Sequence, residues 1–116
     1  MNAPTSPTPD RRQHERRSLR GAAQLALPGR AVMAVRMLHI SAGGMGIVGP
    51  SNLQAKTTGL LRMSIPKKTL GSDTFDVDVK VTHSVYGGSE DGFKIGLEFV
   101  NMPEAMVAAV TAFLVI

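Results

Sequence analysis

The first residues of this chain that could bind an anion are arginines near its start. Arg12 and Arg16 are separated by three residues, and residues 1–20 hold five Arg against Asp10 and Glu15, a net charge of +3 from five minus two. Two arginines at this spacing can close on one phosphate, because each guanidinium group is a planar fork of donors that also stacks on flat bases. The pattern indicates a nucleotide or nucleic-acid partner, although a basic tail that only aids solubility has the same composition.

A second candidate binding element is the small-residue segment HISAGG at residues 39–44. The Ser41 hydroxyl can donate or accept a hydrogen bond, and Gly43 and Gly44 can adopt positive φ and bring the backbone close to a ligand. Such a turn can surround a base edge or a phosphate oxygen. A plain hairpin turn also favours Ser and Gly, so both interpretations of this segment stay open.

The elements that must position these residues are short strands separated by Gly, Pro and Ser. Apolar and polar residues alternate over residues 75–85, which places His83 on the inward-facing phase of a strand. After a polar loop, residues 93–99 repeat the alternation as a returning strand. The other predicted strands cover residues 22–27, 31–40, 45–48 and 60–65.

One helix is predicted at the end of the chain, over residues 102–116. Asn101 is the predicted N-cap, Pro103 suits the first turn, and Glu104 favours the positive end of the helix dipole. Apolar residues dominate the segment, so the helix is expected either to pack across the mouth of a barrel, which is favoured for most of its length, or to contact a partner. The predicted fold is mainly β, a small six-stranded antiparallel β-barrel with a C-terminal helix.

The chain of 116 residues fits one domain. Residues 1–10 predict a disordered tail, residues 11–20 a flexible Arg-rich segment and residues 21–100 the barrel. Without cysteine there is no disulfide and no thiolate metal site, and the three histidines have no metal-ligand spacing. No P-loop, dinucleotide fingerprint or catalytic constellation occurs, so neither an enzyme nor a bound cofactor or metal is expected. We expect a cytoplasmic protein without membrane insertion, because no apolar run is long enough to span a bilayer.

Taken together, the motifs resemble those of PilZ domains, the bacterial receptor modules for the second messenger cyclic di-GMP. That family has an Arg-x-x-x-Arg segment before the barrel, which Arg12 and Arg16 match. It then has an Asp/Asn-x-Ser-x-x-Gly turn, which Ser41 and Gly44 match, and the segment KIGLEF at residues 94–99 is similar to its Gly-x-x-Phe strand. The likeness covers about residues 10–116.

The resemblance implies that the arginines bind phosphate and guanine while the turn surrounds a base. The implied cyclic di-GMP contacts are Arg11, Arg12, Arg16, His39, Ser41, Gly43 and Gly44, with Arg17 and His83 as additional candidates. His39 departs from the family pattern, where an Asp or Asn accepts hydrogens of guanine. Neutral imidazole offers one acceptor nitrogen, and losing one guanine contact costs about 1–3 kcal/mol. His39 could instead form a pH-sensitive contact.

Two functions follow from the resemblance. The first is a single-domain receptor that binds cyclic di-GMP and signals through an effector protein in trans, in bacterial processes such as motility or biofilm formation. The alternative is a degenerate PilZ interaction protein of pilus or motility assembly, which binds the nucleotide weakly or not at all. A DNA- or RNA-binding function ranks lower, because aromatic residues are few and do not interleave with the basic ones.

Overall fold

A computed structural model describes residues 15–115 of the chain as a closed barrel with one helix. The elements are β1 (Arg16–Ala26), β2 (Met33–Ser41), β3 (Gly44–Gly49), β4 (Thr58–Pro66), β5 (Ser72–Gly87), β6 (Gly92–Val100) and α1 (Glu104–Leu114), with a 3-10 turn at Gly88–Glu90. The six-stranded barrel with a C-terminal helix is therefore confirmed. The predicted tail over residues 1–10 lies outside the described residues, as do Arg11 and Arg12.

All neighbouring strands of the barrel are antiparallel, in the order β1-β2-β3-β6-β5-β4. The barrel closes where β1 meets β4, and there only Gln24, Leu25 and Ala26 find partners on β4. The crossover places β3 beside β6, which are far apart in sequence. This neighbour relation brings the turn before β3 next to the returning strand at the end of the chain.

The barrel interior is aliphatic, because apolar residues recur at every second position of the strands. Its fully buried side chains include Leu25, Ile40, Ile47, Leu61, Met63, Ile65, Val77, Val79 and Ile95. Helix α1 adds Met106 and Val110, which are also buried, and packs against β2 and β4. No helix in the described range 15–115 is long and apolar enough to cross a membrane.

Strand β5 reverses the face it presents to the core near its middle. Val79 and Val81 are buried, as the alternation predicts, but His83 and Val85 are exposed. The ladder between β5 and β6 is irregular between Val81 and His83. A bulge of one residue turns all following side chains to the opposite face. The prediction that His83 faces inward was therefore wrong, and its imidazole lies on the outer wall.

The start of helix α1 also differs from the prediction. The N-cap is Pro103, with φ −60° and ψ 145°, and no side chain caps the helix. Asn101 has a left-handed φ of 53°, so it turns the chain out of β6 and does not cap the helix as predicted. Asn tolerates this conformation better than most residues. The Pro103 carbonyl accepts hydrogen bonds from the N–H groups of Met106 and Val107, which starts the helix without a polar cap.

Candidate functional site

Strand β1 carries part of the Arg-rich segment onto the barrel wall. The strand begins at Arg16, so the barrel starts earlier than the predicted boundary at residue 21. Arg16 pairs with Ser41 at the end of β2, and Ser18 pairs with His39. The structure therefore brings the second motif arginine beside the residue 39–44 segment. The position of Arg12 stays a prediction, because that residue lies outside the described part of the chain.

The turn between β2 and β3 depends on Gly44 for a packing reason. A Cβ on Gly44 would overlap the carbonyl oxygen of Leu97 on β6, whereas one on Gly43 would meet open space. Neither glycine has a positive φ, so the predicted use of that conformation was wrong. The Ser41 hydroxyl donates to the Gly44 carbonyl at 3.2 Å, and the Phe99 N–H donates to the Gly43 carbonyl at 2.8 Å. These contacts anchor the turn to β6.

His39 lies against a gap that Gly46 leaves on the neighbouring strand β3. A Cβ on Gly46 would lie 2.5 Å from the His39 Nε2 atom. The imidazole is half-buried, and its Nδ1 is buried with no hydrogen-bond partner among the described residues. Burial, and then the nearby charges of Arg16 and Lys94, lower the pKa of His39 below its usual 6.5. At pH 7 the ring is therefore neutral and carries an unsatisfied nitrogen.

His83 lies on the same outer face as His39, with strands β3 and β6 between them, and is to Gly96 what His39 is to Gly46. Gly46 pairs with Gly96 on β6, and Gly96 pairs with His83 on β5. A Cβ on Gly96 would overlap the His83 ring, which lies with its Nδ1 3.1 Å from the Thr82 hydroxyl. Two imidazoles thus flank two adjacent glycines. We call Gly46 and Gly96 the glycine floor, a strip of backbone without side chains against which the rings of His39 and His83 lie.

A groove runs along the outer wall across the glycine floor and toward the start of β1. Lys94 and Arg16 lie beside the floor, where the hollow has a volume of about 80 Å³. Both residues also line the adjoining part of the groove, which extends past Arg20 and Glu90 and has a volume of about 510 Å³. The Glu90 carboxylate is 3.6 Å from the guanidinium of Arg36, which reduces its charge toward the groove. The groove is therefore net positive and suits an anionic ligand with planar groups.

Lys94 and the two floor glycines were given no site role from the sequence, although Gly96 is the Gly of the segment that is similar to a Gly-x-x-Phe strand. Lys94 was recognised only as an outward-facing residue of the returning strand. A glycine inside a strand is unfavourable and often marks a close approach of another group. Gly46 and Gly96 gave that signal, but their pairing depends on the neighbour relation between β3 and β6, which the local sequence does not contain.

The side chain of Arg17 is directed to helix α1. Its guanidinium donates to the Phe113 carbonyl at 2.7 Å and lies 4.1 Å from the centroid of the Phe113 ring. This residue was an additional ligand candidate in the sequence, and it also borders the outer-wall groove beside Arg16. The arrangement makes Arg17 a link between the groove and the last turn of the helix.

Comparisons with known proteins agree with this fold. A family model described as PilZ domain matches residues 10–115. The inhibitor of motility MotI/DgrA from Bacillus subtilis has a TM-score of 0.78 and 18% sequence identity, over 90% of this chain and 50% of that chain. The PilZ domain of YcgR from Escherichia coli, solved with c-di-GMP, has a TM-score of 0.64 and 18% identity, over 90% of this chain and 88% of that one. This chain thus spans half the length of MotI/DgrA, and no curated protein matches it significantly.

Proposed function

The chain belongs to the PilZ domain family, and on that premise we propose that it is a receptor for cyclic di-GMP that signals through a partner protein in trans. The observation that carries the proposal is the grouping of Arg16, His39 and Lys94 around the glycine floor. The YcgR PilZ domain, which has a similar fold, was solved with this nucleotide. Binding of an intracellular second messenger implies a cytoplasmic location and a role as a binding module, not an enzyme.

The chemistry of the ligand fits the groups in the groove. Cyclic di-GMP carries two phosphodiesters and two guanine bases. The guanidinium fork of Arg16 would hold one phosphate, with Arg11 and Arg12 completing the contact, and Lys94 would supply a second cation. Each charge-assisted hydrogen bond contributes about 1.5–3 kcal/mol. A guanine would reach the glycine floor by displacing the His39 or His83 ring, because each ring lies against one of the two glycines.

The residues of the turn contribute to the same site in different ways. Ser41 pairs with Arg16 in the ladder between β1 and β2, and the exposed Gly43 follows two residues later, so we assign both to contacts with the ligand. Gly44 is buried beneath them, and its role is to let β3 approach β6 closely. In this proposal the turn presents backbone groups to the ligand because Gly44 fixes its position.

Titration calorimetry with cyclic di-GMP on the full chain tests the proposal. Arg16→Ala should lower the affinity tenfold or more, a loss of about 1.4 kcal/mol. The matched control is Lys67→Ala, because Lys67 lies at the β4–β5 turn outside the groove. This variant should bind cyclic di-GMP with the affinity of the wild type. The absence of both heat and NMR shifts at high micromolar nucleotide would refute the receptor function.

One observation favours the second function, a PilZ interaction protein that binds the nucleotide weakly or not at all. The His39 ring covers Gly46, so it occupies part of the floor on which a guanine would lie. MotI/DgrA, with a similar fold, is named for inhibition of motility, which fits a function through protein contacts. A pull-down that recovers a stable partner without nucleotide, and equally well with Arg16→Ala, would favour this function.

A further inference from the structure

A second groove lies at the mouth of the barrel, between helix α1 and the turn that joins β4 to β5. Its volume is about 660 Å³, and its floor includes Ile65, Ala109 and Phe113. The rim carries Arg17, Lys67 and Lys68. Neither the nucleotide site nor the barrel core explains why this groove has an apolar floor with cations at its edge.

The rim is only partly neutralised by the chain itself. The Lys67 ammonium lies 3.4 Å from the Asp73 carboxylate, and both side chains are about half exposed. Lys68 forms no ion pair within residues 15–115, and Arg17 contacts a carbonyl and a ring but no carboxylate in that range. Three cations and one anion leave the groove with a net charge of +2. A bound carboxylate would therefore gain favourable interactions here.

The exposed face of helix α1 continues the apolar surface. A surface helix normally carries charged residues on its solvent side, but α1 has none after Glu104. Val115, which lines the groove just after α1, is 60% exposed, and Leu70 in the β4–β5 turn is 87% exposed. Apolar side chains grouped beside a groove are typical of a contact site for another protein.

We propose that this groove binds an acidic amphipathic segment of a partner protein. Apolar side chains of the segment would enter between α1 and β4, while its carboxylates pair with Arg17 and the two lysines. A peptide side chain can fill a concave groove, whereas a flat lipid surface cannot reach its floor. A second copy of this chain is a poor match, because its net charge of +4 would oppose the basic rim.

The groove is linked to the nucleotide site through strand β1. Arg17 follows Arg16 directly and lines both grooves. A ligand that fixes Arg16 would thus act on the residue next to the one that lies against Phe113. The inference gives the chemistry of the partner in the proposed function, and it rests on that function only for this coupling.

Site-specific photo-cross-linking of the full chain in its own cells tests the proposal. The photoreactive residue p-benzoyl-phenylalanine replaces Ala112, which is exposed and lines the groove, and in a control it replaces Val32, which is 58% exposed beyond the end of β1. Mass spectrometry then identifies the cross-linked segment. We expect an acidic segment with interspersed apolar residues at position 112, and its loss in the double variant Lys67→Glu/Lys68→Glu.

Each other outcome overturns the proposal. These are a lipid adduct, an adduct with a second copy, a neutral or basic segment, an adduct that survives the charge reversal, and no excess over the Val32 control. Calorimetry on Lys67→Glu/Lys68→Glu separates this inference from the receptor function. In that variant the nucleotide affinity should be unchanged while the adduct is lost. In the chain with both lysines intact, nucleotide binding with no acidic adduct overturns the groove proposal alone, and an acidic adduct with no nucleotide binding overturns the receptor function alone.

Discussion

The imidazole of His39 fills the space that a side chain on Gly46 would need, because a Cβ on that glycine would lie 2.5 Å from the His39 Nε2 atom. The two residues therefore depend on each other across β2 and β3. The missing Cβ lets the ring lie against the wall, and the resulting burial lowers its pKa. The position of the His39 ring and the pKa of His39 thus both depend on the His39–Gly46 pair.

Replacing His39 with Asp should strengthen cyclic di-GMP binding roughly tenfold to a hundredfold, or about 1–3 kcal/mol. A carboxylate accepts both the N1 and N2 hydrogens of guanine, and the smaller side chain uncovers Gly46. Arg16 and Lys94, whose charges reach this position, would stabilise the carboxylate. Calorimetry on His39→Asp and His39→Asn checks this, with the larger gain expected for Asp. An unchanged or weaker affinity for both variants would show that position 39 does not contact guanine.

The free energy of unfolding should decrease as the pH falls below about 6.5, and His39 should account for part of the decrease. Because its pKa is lowered in the folded state, the unfolded chain binds the proton more readily, and protonation favours unfolding. Stability therefore rises with pH through the window between the folded pKa and 6.5. Urea denaturation at about pH 5.5 and 7.5 measures the slope. A His39→Gln variant with the same slope as the wild type would contradict the assignment.

Gly44→Ala should destabilise the fold by about 1–3 kcal/mol, because its methyl group would force β3 away from the Leu97 carbonyl on β6. Gly43→Ala is the matched control, since its Cβ meets open space and its φ is not positive. That control should change stability by less than about 0.5 kcal/mol. Urea midpoints of the two variants decide the question, and equal losses would argue against the close approach.

Arg17→Ala should lower the free energy of unfolding by about 1–2 kcal/mol, because it removes both the hydrogen bond to the Phe113 carbonyl and the stacking on the Phe113 ring. Arg17→Lys should recover only part of the loss, since an ammonium group stacks without the planar fork. Arg30→Ala, in the turn after β1, serves as a control of equal charge change and should be near neutral. The NMR shifts of Phe113 report the contact directly, and unchanged shifts in Arg17→Ala would contradict it.

Lys94→Ala should weaken cyclic di-GMP binding roughly tenfold, by about 1.4 kcal/mol, and should reduce its dependence on salt concentration. Lys94 lies beside the glycine floor, where its ammonium can approach a phosphate. Lys80 projects from β5 next to Glu98, outside the groove, so Lys80→Ala should keep the wild-type affinity. Equal effects of the two substitutions would indicate that only overall charge matters.

The barrel could be predicted from the sequence because strand alternation is a local property. Residues 75–81 show it without exception, and their inward positions are indeed the buried or half-buried ones. The bulge after Val81 could not be predicted in the same way, because it arises in the ladder between β5 and β6. His83 was therefore assigned to the wrong face, although it had been named as a candidate ligand contact.

The candidate site was predictable only where a motif is contiguous. Ser41 and Gly44 stand in one short segment, and Arg16 reaches them because β1 and β2 form a hairpin. The glycine floor and Lys94 depend instead on the crossover that places β6 beside β3. That strand order follows from the packing of the whole barrel, so no local pattern contains it.

The closure of the barrel at β1 and β4 has a consequence for how the molecule fluctuates. Three residue pairs join β1 to β4, whereas nine join β4 to β5. A closed barrel is expected to open first where the fewest residue pairs join two strands. Partial opening should therefore separate β1 from β4 while the nine pairs between β4 and β5 persist. Amide hydrogens of Gln24 to Ala26 should then exchange faster than those of β5. Strand β1 would keep its eight residue pairs with β2 in that state, so Arg16 would stay beside Ser41 while the barrel opens at the other end of the strand.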